Sequence, residues 1–167
     1  MARIISAFCF IFLAALPSNA DVIGKITGTL DNQTWEWSVI RVDGAGATGT
    51  FSEIIPGYVS VTIQGHPGTT FAIKDSLAVT FILQGDAVSE PSILYIPEGG
   101  LSEYYEAEGG AVTLTLTEKR VEALEMYVEG TAVARLVHTK RDGLEFSQNP
   151  EDVIDLTVDF KSMLVSE

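Results

Sequence analysis

From Val22 onward, apolar residues recur at every second position in short runs, and turn-forming residues separate the runs. Between Thr34 and Val42, Trp35, Trp37 and Val39 alternate with Thr34, Glu36 and Ser38. Tyr58 to Gln64 sets Val59, Val61 and Ile63 against Ser60, Thr62 and Gln64, and Leu77, Val79, Phe81 and Leu83 share one face. Ala111 to Thr117 alternates Val112, Leu114 and Leu116 with three threonines, and Ile154 to Lys161 repeats the pattern near the end. Strand side chains point to opposite faces in turn, so each run has one buried and one wet side, as in antiparallel sheets.

The punctuation agrees. Asp31-Asn32-Gln33, Asp43-Gly44, Pro56-Gly57, His66-Pro67-Gly68, Gly85-Asp86 and Asp142-Gly143 fall where strands should turn. The spacing predicts roughly nine to eleven short strands and an all-β domain. Glu118 to Glu129 is the one ambiguous stretch, since Val121, Leu124, Tyr127 and Val128 fit a helical face. Its strand-like continuation through Val137 predicts one long strand with a bulge. Glu-Gly-Gly occurs at 98–100 and 108–110, and this echo is read as the two ends of one loop. The architecture expected is an antiparallel two-sheet β-sandwich, jelly-roll-like or immunoglobulin-like, with a closed β-barrel as the alternative. No Pro/Ser-rich linker divides residues 21–167, which are read as a single domain. Ile26 to Leu30, the turn after it and Thr34-Trp35-Glu36-Trp37 resemble the first hairpin of many small secreted bacterial sandwiches. The closing strand Ile154 to Phe160 does too. That resemblance covers two hairpin-sized pieces and implies a fold class, not an activity.

The first twenty residues have a different pattern. Arg3 precedes the uncharged run Ile4 to Leu16, Pro17 ends it, and Ser18-Asn19-Ala20 places small residues where a signal peptidase reads them. Residues 1–20 are therefore expected to be a cleaved signal peptide, because so short an apolar run falls short of a hydrocarbon core of ~30 Å. The expected location is secreted or periplasmic, in a bacterium, with no membrane span after cleavage. The only cysteine, Cys9, lies in this leader, so the remaining chain has no thiol chemistry or disulfide.

Charge narrows the partners. Without Arg3 the chain carries 9 basic and 23 acidic residues, a net charge of −14. Nucleic acid is disfavoured, because its phosphates must be neutralised by Lys and Arg. Catalytic signatures are missing from the sequence: Gly-x-Ser-x-Gly does not occur, and neither His66 nor His138 sits in a triad-like context. Two separated histidines do not make a zinc set, and no phosphate-cradling glycine motif is present. A pair of carboxylates for glycosidase chemistry can always be nominated among 23 acids, so the nomination says nothing. Asn32-Gln33-Thr34 matches a glycosylation sequon but reads as a turn.

Three expectations remain. In the first, the protein is a non-enzymatic module that binds a protein partner or ligand through Tyr104 and Tyr105, which lie among glycines, serine and acids. In the second, it is a carbohydrate-binding or carbohydrate-acting domain in which Trp35 and Trp37, two apart on a strand, stack against a glycan. In the third, it is a structural or adhesive module stabilised by a calcium ion that oxygen ligands from Asp142, Glu145, Asp152 and Asp155 hold. No other cofactor is expected.

Overall fold

The computed structural model describes residues 20–143 and 145–167. The expected leader, residues 1–20, lies outside them except for Ala20. Eleven strands form one large mixed sheet: β1 (Ala20–Leu30), β2 (Gln33–Val42), β3 (Gly46–Ala47), β4 (Gly49–Ile55), β5 (Tyr58–Gly65), β6 (Ser76–Gln84), β7 (Ala87–Ile96), β8 (Glu103–Glu108), β9 (Val112–Glu122), β10 (Glu125–Asp142) and β11 (Glu145–Ser166). No α-helix occurs among the described residues, and none is long and apolar enough to cross a membrane. Hydrogen-bonded neighbours follow the order β3-β2-β1-β11-β4-β5-β6-β7-β8-β10-β9, with β10 also pairing onto β11. The sheet is mixed because Val165 and Ser166 run parallel to Thr50 and Phe51, the one parallel register amid antiparallel pairs.

Turn chemistry explains most of the connections. Asp31 and Asn32 adopt φ of 48° and 62°, so Leu30 pairs with Gln33 across a two-residue hairpin whose twist suits the strands. Gly85 and Gly143 take the positive φ at two other hairpin tips. Two sequence expectations are corrected. Residues 118–129 are not one strand: β9 ends at Glu122, Ala123-Leu124 make a turn, and β10 starts at Glu125. Nor is 98–110 one loop, because β8 pairs with both β7 and β10 inside it.

One core gathers side chains from strands far apart in the pairing order. Phe81 on β6 and Phe160 on β11 are not hydrogen-bonded neighbours, yet their ring centroids lie 6.3 Å apart. The sheet therefore turns over upon itself, and both rings are buried. Where β2 meets β5 the approach is closest: a Cβ built on Gly65 would stand 2.6 Å from the Cβ of Trp37, so only glycine fits. Residues 37–40 of β2 are buried on both faces. Ser38 exchanges backbone hydrogen bonds with His66 (2.8 and 2.9 Å), while the Ile40 carbonyl accepts from the Thr48 backbone N–H and the Ile40 N–H donates to the Thr48 hydroxyl.

The long β10–β11 hairpin contains a bulge that shapes the site below. Val137 pairs with Val153 but His138 pairs with Asn149, which leaves Pro150, Glu151 and Asp152 without register partners. Proline has no N–H to give a ladder, so the strand swells there, and a bulge re-aims the side chains it carries.

Candidate functional site

Strand β8 carries Tyr104 and Tyr105 on opposite faces, each in different surroundings. Tyr105 is the middle rung of a cross-strand ladder, with register partners Tyr95 on β7 and His138 on β10. Ring centroids are 6.5 Å apart for Tyr95–Tyr105 and 5.0 Å for Tyr105–His138. The bulge brings Asp152 to the end of this ladder. Its Oδ1 accepts the Tyr105 hydroxyl at 3.1 Å, and its Oδ2 lies 3.1 Å from His138 Nδ1. Burial, followed by this hydrogen bond and by the Asp152 charge, raises Tyr105 above the usual phenol range.

The row continues toward the core. Trp35 meets the edge of Tyr95 at 6.3 Å and stacks on Trp37 at 5.4 Å with an 11° interplanar angle. Asp75 ties the row to the loop before β6: its carbonyl accepts the Trp37 indole N–H at 2.8 Å and its carboxylate accepts the Tyr95 hydroxyl at 2.9 Å. Trp37 is fully buried and so presents no face to a sugar, while Trp35 is half-buried. Burial first, then Asp75, raises Tyr95 strongly. The polar groups of Trp37, Tyr95, Tyr105 and Asp152 thus already have partners within the chain.

Tyr104 faces the other way. With Leu94, Leu101, Glu106, Glu108, Arg141 and Phe146 it lines a groove of about 290 Å³. The walls are mainly apolar, and Phe146 and Leu101 remain exposed at the rim. Burial and then the nearby Glu106 raise the Tyr104 phenol, with Arg141 opposing them. The Arg141 guanidinium lies 5.4 Å from the centroid of the Phe146 ring.

The four acids proposed for calcium fall in different places. Asp142 and Glu145 are the last register pair of the β10–β11 hairpin, Asp155 is exposed opposite Arg135, and Asp152 is engaged with Tyr105 and His138. Among the described residues no three His, Cys, Asp or Glu side chains are grouped to hold a metal ion.

Strand alternation places the two tyrosines on opposite faces, but Asp75, Arg141 and Phe146 carry no local sequence signal, and neither does the approach of Asp152 to His138. Pro150 inside a strand run marks the bulge between them but not that contact. Arg141 and Phe146 become neighbours only through the hairpin register, which pairs them directly. Comparison with protein-family models, with curated proteins and with solved structures found no match to this chain.

Proposed function

We propose that the chain is a secreted or periplasmic, non-enzymatic β-sandwich that binds a partner or ligand through the groove around Tyr104. The observation that carries the reading is the groove itself. It combines an apolar floor, exposed aromatic and aliphatic rims and a few charged groups, the composition of a contact surface. The inner face of β8 supports the same choice by contrast, since its aromatic row satisfies its own polar groups and packs against the core. The Phe81–Phe160 contact favours two facing layers, and the return of β10 onto β11 favours the barrel alternative.

A fragment library observed by ligand-detected NMR tests the binding claim. Hits are expected whose signals disappear with Tyr104→Ala and persist with Trp35→Phe. Hits indifferent to Tyr104 would sink the groove. Turnover of any substrate, abolished by one carboxylate substitution, would sink the non-enzymatic part.

A further inference from the structure

Along the outer face of β8 the charge changes sign. The Arg141 backbone N–H donates to the Ser102 carbonyl at 2.7 Å, which sets the guanidinium at the start of the strand. Tyr104, Glu106 and Glu108 then follow at alternate positions on one face. At ~3.3 Å per residue, Glu106 stands ~13 Å and Glu108 ~20 Å beyond Ser102.

Among the described residues none of Arg141, Glu106 and Glu108 takes part in a salt bridge. Arg141 Nε donates to the Gly143 carbonyl at 3.0 Å, and no carboxylate lies within salt-bridge distance of its guanidinium among the described residues. Glu106 accepts only neutral donors, Thr139 Oγ1 at 2.8 Å and Gln148 Nε2 at 3.2 Å. Glu108 is exposed and takes part in no ion pair among the described residues. By contrast Lys25, Arg41, Lys119 and Lys140 each meet a carboxylate. The groove therefore offers one unneutralised cation, an apolar middle and two unneutralised anions, in that order.

Both edges of β8 are already paired, to β7 and to β10, so a ligand cannot add to it as a strand. Recognition falls to the side chains of its outer face. Their two-residue repeat is that of an extended chain, which sets successive outward side chains at the same spacing.

Resting on the reading of the groove as a contact surface, we propose that its occupant is an extended peptide segment of a partner protein. The segment carries an acidic residue toward Arg141 and, about four positions away, a Lys or Arg toward Glu106 and Glu108. An aliphatic side chain between them covers Leu94 and Tyr104. The net charge of −14 without the leader speeds encounter with the basic end, while the guanidinium in the groove fixes the direction in which the segment lies.

Panning a phage library of random heptapeptides on the purified chain tests this, with parallel panning on Tyr104→Ala, Arg141→Glu and Glu108→Lys. The expected consensus is acid and base four positions apart around an aliphatic residue. A synthetic consensus peptide should lose about tenfold in affinity on Tyr104→Ala. Arg141→Glu should replace the acid by a base in the selected peptides, and Glu108→Lys should weaken the selection for the base. Arg141→Lys, which keeps the charge, should retain the original consensus even where Arg141→Glu folds poorly. Tyr104-dependent enrichment without the charge pattern would overturn the polarity and leave the groove standing. No Tyr104-dependent enrichment would overturn both.

Discussion

Replacing His66 with leucine should flatten the acid limb of the stability–pH profile. The imidazole is fully buried beside Phe71, at 4.9 Å between centroids. Its Nδ1 donates to the Ala72 carbonyl at 2.7 Å, and its Nε2 has no hydrogen-bond partner. No carboxylate lies within salt-bridge distance of the ring among the described residues. Protonation would bury a charge and an unmatched Nε2–H, so burial pushes this group below the ordinary imidazole range, against a smaller opposing effect of the Ala72 hydrogen bond. The unfolded imidazole titrates at about 6.5. Because the folded value is lower, this contribution to stability is complete above that pH and is lost as the pH falls toward the folded value. The loss is at most about 1.4 kcal/mol per pH unit. A domain with a total stability of ~5–15 kcal/mol registers this easily. Urea unfolding followed by tryptophan fluorescence, from about pH 7.5 down to about pH 5, stays above the main carboxylate range. The wild type should lose stability steadily over that span, and His66→Leu should start lower but run flatter. A His138→Gln background removes the only other imidazole as a contributor. Parallel profiles for wild type and His66→Leu would refute the reasoning.

Further outcomes follow from the packing and the aromatic row. Phe160→Ala should cost about 3–5 kcal/mol in urea unfolding, because it opens a cavity against Phe81; a loss below about 1 kcal/mol would contradict this core contact. Gly28→Ala would set a Cβ on the Thr157 carbonyl of β11 and should cost about 1–3 kcal/mol or more, measured in the same way. In an alkaline titration read by tyrosinate absorbance, Tyr95 and Tyr105 should ionise above the ordinary phenol range. Their raised values mean that the stability of the neutral phenols is complete below about pH 10 and is lost as the pH rises beyond it. Tyr95→Phe should remove the highest of these steps.

Much of the strand pattern was legible because it is local. Val112-Thr-Leu-Thr-Leu-Thr117 keeps its apolar residues inward and its threonines exposed, and Asp31-Asn32 makes the turn its chemistry requires. The Ala123-Leu124 turn was not legible, since neither residue favours a turn and Ala123 takes φ 52° only because the register of β9 with β10 demands it. Alternation also fails at residues 37–40, where the segments around His66 and Thr48 cover what would otherwise be the wet face. The opposite orientation of Tyr104 and Tyr105 follows from the strand period alone. What each meets there does not: Asp152 reaches Tyr105 through a bulge, and Arg141 reaches Tyr104 through pairings set by long-range register.

A crystal structure of the chain soaked with the tightest Tyr104-dependent fragment tests the central claim most directly. The account predicts density between Leu94, Tyr104 and Phe146, with any carboxylate of the fragment beside the Arg141 guanidinium. Density against Trp35 and Tyr105 with the Tyr104 groove empty would contradict it.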